Sequence, residues 1–132
     1  MSIREVRDFQ DLIIWQRSFQ LAEEIYRMTE RFPKSEIYGM TSQLRRSAVS
    51  IPANIAEGYG RFSQKDYARF IGIALGSCTE LETLLLLSVK VGITSASNAD
   101  KSLTLARECK RMLRAIRFKL HANLQAGRQS SG

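Results

Sequence analysis

Arg107, Lys110, Arg111, Arg114 and Arg117 fall mostly three or four residues apart near the end of the chain, with Phe118 and His121 directly behind them. At 100° per residue the five cations and His121 share roughly 120° of a helix circumference, and Ala106, Cys109, Leu113, Ile116, Leu120 and Leu124 take the other side. Cations on one face suit phosphate, and an aromatic ring among them can stack on an unpaired base. The plainer reading is a solvated helix face whose positive charge suits the C-terminal end of the helix dipole. Against it, no acid follows Glu108, whereas ordinary exposed helices mix both signs. Arg45 and Arg46 are further cations whose place relative to this stripe the sequence does not fix.

A second constellation lies in Arg46, Ser50, Asn54 and Glu57, spaced three and four apart around Pro52. Pro52 falls inside a helical pattern, where it withdraws the donor to the carbonyl of Ala48 and is expected to kink the helix. The polar side chains beside it can bind a polar ligand or satisfy one another, and internal hydrogen bonding is the favoured reading. Catalysis has little to rest on. His121 has no evident Ser or Cys partner, Glu80 and Glu82 are two apart and diverge, and no Glu-x-x-His pair or phosphate-cradling glycine loop occurs. No catalytic residue, metal site or cofactor is therefore expected.

These residues sit in a chain of 132 residues with a net charge of +7, 44% hydrophobic and 25% charged. That is the composition of one ordinary globular domain, long enough to build a core without disulfides. Residues 1–100 carry as many acids as Lys and Arg, so the whole excess belongs to the last quarter, a lopsidedness that points to a polyanionic partner. Cys78 and Cys109 are too few for a disulfide framework or a zinc site and are read as buried thiols. The apolar stretch from Ile71 to Val91 contains Glu80 and Glu82 and reads poorly as a membrane span. The opening residues have no signal-peptide core, so a cytoplasmic location without membrane partners is expected.

Apolar spacing near 3.6, only two prolines and the placement of the glycines predict four helices. The first runs from about Asp8, its N-cap, to Arg31 before Phe32-Pro33. The second runs from Ser35 or Glu36 to Glu57, ending at Gly58 and Gly60 in a left-handed turn. The third starts at a Ser63/Asp66 cap with a Phe62/Tyr67 staple and reaches Val91 before Gly92. The fourth starts at Ser97/Asp100 and reaches about Gln125. Residues 1–125 are thus one antiparallel up-down-up-down four-helix bundle, and 126–132 a disordered tail. The first and third helices are apolar over more of their circumference than one core needs, which predicts self-association. Gly72, Gly76, Ala68, Thr79 and Thr83 form a strip of small residues on the third helix, suited to close approach of another helix.

The run Gln43-Leu-Arg-Arg-Ser-Ala-Val-Ser-Ile-Pro-Ala-Asn-Ile-Ala-Glu-Gly58 closely resembles the signature of the bacterial 23S ribosomal RNA intervening-sequence proteins. The likeness extends to Trp15, Phe32-Pro33, Glu36, Tyr38-Gly39, Ala74-Leu-Gly-Ser77 and Glu80-Leu-Glu-Thr83, with Met40 where Leu is usual. The resemblance implies a four-helix bundle that assembles as a homopentamer, without established enzymatic activity. More distantly the chain is similar to the basic, pentameric accessory subunit of diversity-generating retroelements, which works with a reverse transcriptase and binds nucleic acid. The expected function is non-enzymatic binding of RNA or DNA through Arg107, Lys110, Arg111, Arg114, Arg117 and Phe118. The competing expectation is a ring-shaped scaffold for a protein partner.

Overall fold

The computed structural model describes residues 5–130, with side chains as far as Arg128. Four helices, α1 (Ile13–Thr29), α2 (Met40–Tyr59), α3 (Gln64–Lys90) and α4 (Ala96–Ser130), form an all-α bundle. Two single 3-10 turns, Phe9–Asp11 and Lys34–Glu36, precede α1 and α2. Each helix packs on its chain neighbours and α4 returns to α1. Neighbours run antiparallel: Gly58 meets Phe70 while Ser50 meets Ser77, and Met28 meets Ser102 while Arg17 meets Glu108. At 1.5 Å per residue the helices grow from about 25 Å in α1 to about 52 Å in α4, so α4 overhangs its neighbours.

All four helices feed one core, with Leu21, Ile25, Leu44, Ile55, Ile71 and Leu113 wholly buried. Each such side chain contributes roughly 1.5–3 kcal/mol through burial. Cys78 and Cys109 lie in the same interior, and burial pushes both thiols up to about 12. On length and composition alone α3 could cross a membrane; in the bundle its apolar side packs between α2 and α4.

Several helix ends differ from the sequence expectation. Asp8 does cap, but it caps the 3-10 turn, where Asp8 and Asp11 form a reciprocal box, and extended Leu12 delays α1 to Ile13. Gly39, at φ −106° and ψ −112°, sets the start of α2 at Met40. Gly58 and Gly60 do not turn left-handed. Gly60 keeps helical dihedrals, and Gly58 lies inside the helix because a Cβ there would come within 2.6 Å of the Phe70 Cβ. Only Gly92, at φ 82°, has the left-handed backbone among the described residues. Pro52 is accommodated within a continuous α2 and is buried.

Ser63 caps α3 by accepting from the Asp66 N–H, as its spacing predicts. The Phe62/Tyr67 staple does not form, since Phe62 projects wholly into solvent and Tyr67 meets Tyr59 edge-on at 6.1 Å. The cap of α4 is Ser95, whose hydroxyl accepts from the Asn98 N–H, two residues before the expected one. α4 continues beyond Gln125, its expected end, to Ser130. Residues 131–132 lie outside the described residues.

Candidate nucleic-acid interface

The basic stripe divides into two halves. In the first, Glu82 of α3 takes the Arg107 Nε at 2.9 Å on one carboxylate oxygen and the Lys110 Nζ at 2.5 Å on the other. Glu82 is only 15% exposed, and the Lys110 and Arg107 bonds hold its carboxyl below the usual carboxylate range. Nearby, Lys101 pairs with Glu24 at 3.4 Å and Arg17 with Glu108 at 3.2 Å. Arg107 and Lys110, expected from the sequence to contact phosphate, are therefore occupied inside the molecule.

In the second half, Arg111, Arg114 and Arg117 are exposed, and Phe118 is 78% exposed between them and His121. The antiparallel register sets this half of α4 against the beginning of α3, which carries one acid, Asp66, between residues 64 and 79. Arg117 crosses Gly72 so closely that a Cβ there would lie 3.9 Å from its Nε. Lys65, Arg69 and Gly72 are four and three residues apart and so share a face of α3. A groove of about 410 Å³ results, with Gly72 in its floor, Lys65 and Arg69 on one wall and Arg117 and His121 on the other. Asp66 reaches Arg69 at 4.0 Å, partly offsetting the positive charge.

Lys65 and Arg69 were not candidates in the sequence reading, because on their own helix they are two ordinary surface cations. Their distance from α4 along the chain hides the pairing. Arg69 is steadied by the Phe70 ring, its guanidinium 4.5 Å from the centroid, and Arg61 lies over the same ring at 5.0 Å. Such cation–π contacts hold a guanidinium without neutralising it.

The strip of small residues changes character along α3. Gly72 receives a side chain, and a Cβ at Gly76 would find nothing within 4 Å. The Thr79 and Thr83 hydroxyls are exposed and donate to their own helix, to the Leu75 and Thr79 carbonyls. Ala68 is buried and Gly72 half-buried, whereas Gly76, Thr79 and Thr83 are exposed.

The constellation around Pro52 splits as well. Ser50 and Ser77 share a hydrogen bond of 2.8 Å between α2 and α3, and the Asn54 amide donates to the Ser50 carbonyl and hydroxyl at 2.7 and 3.0 Å. Glu57 instead pairs with Arg61 at 2.6 Å. Arg46 opens onto a groove of about 670 Å³ between α1 and α2, rimmed by Tyr26, Ile37, Tyr38, Arg45 and Val49. There Arg45 lies 4.5 Å over Tyr26 and donates to the Thr29 hydroxyl at 2.9 Å. Arg45 and Arg46 thus belong to a different face from the α4 stripe. Among the described residues no group of three His, Cys, Asp or Glu could hold a metal ion. What the arrangement can do chemically is bind anions along the α3–α4 groove.

Residues 10–115 match the family model described as 23S rRNA-intervening sequence protein. The fold is similar to the crystal structure of a protein of unknown function from the S23 ribosomal protein family of Bacteroides thetaiotaomicron. The TM-score is 0.71 at 24% sequence identity, covering 79% of this chain and 97% of that one, a likeness that speaks for the fold alone. No curated protein matches the chain.

Proposed function

Because the chain belongs to the 23S rRNA-intervening sequence protein family, we propose that it is a non-enzymatic, self-associating bundle of the cytoplasm that binds RNA or other nucleic acid. Nothing in the family description indicates an enzyme. The observation that carries the reading is the run of exposed cations Arg111, Arg114 and Arg117 on α4, whose Arg117 end shares a groove with Lys65 and Arg69 of α3 and the acid Asp66. Phosphates attract to such a surface without regard to base sequence, so low specificity is expected. Phe118 adds a ring for stacking.

Self-association is supported by apolar side chains left exposed on several helices, among them Phe19, Tyr26, Ile73, Leu86 and Leu87; the choice of five copies comes from the family resemblance. Repetition around a ring multiplies the positive charge and strengthens binding of a long polyanion. A second reading, a scaffold for a protein partner, is favoured by the α1–α2 groove, where Tyr38 is 95% exposed beside Ile37 and Val49.

A salt titration of RNA binding separates the two. Phosphate contacts predict a log–log slope of about −0.7 per contact for a single strand, and Arg111→Glu with Arg114→Glu is expected to abolish binding. Unchanged affinity in that variant removes α4 from the site, and absence of RNA binding at low salt leaves the scaffold. Sedimentation tests the assembly, since a 15.0 kDa species at micromolar concentration contradicts self-association.

A further inference from the structure

We infer that the α1–α2 groove is a second ligand site, which takes a phosphomonoester of nucleotide size. The inference goes beyond the α4 reading and does not depend on it, since Arg45 and Arg46 lie on a different face. Among the described residues Arg45 and Lys110 are the two cations that are not exposed. Lys110 has its carboxylate in Glu82, whereas no carboxylate of the described residues pairs with half-buried Arg45. Its position is nonetheless fixed. The buried Thr29 hydroxyl donates to the Ile25 carbonyl at 2.7 Å and accepts from the Arg45 Nε at 2.9 Å. The guanidinium also lies 4.5 Å from the centroid of the Tyr26 ring. Both contacts orient the group and neither neutralises it. The terminal nitrogens of Arg45 are left for a ligand, as is the whole guanidinium of Arg46, which makes no hydrogen bond or ion pair with the described residues.

The groove defines the anion. Arg45 and Arg46 bring two positive charges to one cavity of about 670 Å³, and no acid lines it. A phosphomonoester carries close to two negative charges near neutral pH, against one for a carboxylate or an internal phosphodiester, and its oxygens suit two guanidinium forks. Half-buried Ser42 also lines the cavity, three and four residues before the arginines and so on their side of α2. Its hydroxyl is a further donor for such an anion. Ile37 and Val49 give the same cavity apolar lining. Apolar walls with a few placed polar groups, in a volume of about 300–1,000 Å³, are the ordinary make-up of a small-molecule site. A nucleotide has both parts, a phosphate for the arginines and a flat base for the apolar lining. That chemistry arrives either as a free nucleotide or as the phosphorylated end of a strand.

The experiment is a calorimetric titration of the full chain with adenosine 5′-monophosphate, adenosine and inorganic phosphate. The monophosphate is expected to bind with a sub-millimolar Kd, and adenosine and phosphate, each lacking one part, about tenfold or more weakly. Arg45→Lys keeps the charge but loses the fork and the Thr29 bond, and is expected to weaken binding about tenfold. Arg46→Gln is expected to weaken it similarly at an unchanged melting temperature, because that side chain is exposed and bonds to nothing in the fold. A folding defect in the Arg45 variant therefore leaves the test intact. Arg111→Glu with Arg114→Glu is expected to leave monophosphate binding unchanged. In that background a 5′-phosphorylated adenylate tetramer is compared with its 5′-hydroxyl counterpart. A preference for the phosphorylated strand that Arg46→Gln removes assigns the site to a strand end, and binding of the monophosphate alone assigns it to a free nucleotide. No binding of the monophosphate at about 5 mM, parent affinity in Arg46→Gln, or an equal loss in the α4 variant overturns the inference. So does an acidic peptide of alternating Leu and Glu that binds more tightly through the same arginines, which favours the scaffold reading. The nucleic-acid reading stands or falls separately, on the salt titration of RNA binding.

Discussion

The two halves of α4 carry the same residue types and do opposite things with them. Between residues 101 and 110 the cations meet Glu24 and Glu82 across helix interfaces. From Arg111 onward α4 contains no acid, and the segment of α3 facing it adds Lys65 and Arg69. A stripe that is uniform on a helical wheel is therefore ion-paired to α1 and α3 at one end and exposed at the other. The difference shows that a basic residue becomes available to a polyanion through what the neighbouring helix lacks.

The strongest way to break this contrast is to reverse charge in one half at a time. Arg114→Glu with Arg117→Glu should lower RNA affinity by about a hundredfold or more at moderate salt and reduce the salt slope. Arg107→Ala should change affinity less than about twofold, since its guanidinium is already held by Glu82. Equal losses from the two halves, measured by anisotropy, dissolve the distinction.

Glu82 sharpens it. Glu82→Ala should destabilise the fold by about 1–2 kcal/mol, toward the lower end because Arg107 is half-exposed. It should also raise RNA affinity a few-fold by releasing two cations. The Glu82 carboxyl is held below its ordinary value of 4.5 by Lys110 and then Arg107. Its stabilising effect is thus present above that value and is lost as pH falls through the lower, folded-state value. Denaturant unfolding followed from pH 6 downward should show that loss in the parent and a flatter profile in Glu82→Gln.

The smallest expected effect belongs to the polar contacts beside Pro52. Asn54→Ala should cost about 1 kcal/mol, because the Ser50–Ser77 bond survives and the site is half-buried. RNA affinity should stay at the parent value; a loss of affinity with normal stability would make that cluster part of the binding site.

The cap of α3 was legible because Ser63 and Asp66 are three residues apart, and the turn after α3 because Gly92 is adjacent to the last turn. Helix ends that depended on distant packing were not. Gly58 looked like a terminator and serves instead as a place where α2 and α3 come close, a demand set by Phe70 twelve residues on. Phe62 looked like a staple because its spacing to Tyr67 was right, and Tyr59 filled that role from the preceding helix. Ser95 took the N-cap of α4 from Ser97, a choice between two nearby candidates that periodicity alone does not rank.

The candidate site shows the same division. Its α4 members were readable from i, i+3 and i+4 spacing, whereas Lys65 and Arg69 required knowing which turns of α3 face which turns of α4. By itself the sequence determined the four helices, the apolar side of each and the charge excess in the last, because those follow from backbone geometry acting over a few residues. Only the tertiary structure decided which cations are neutralised and which remain, because the Glu82 bonds to Arg107 and Lys110 span 25 and 28 residues. Contacts across that separation depend on the register in which two helices pack, and one turn of slip, about 5.4 Å, would have given Glu82 different partners.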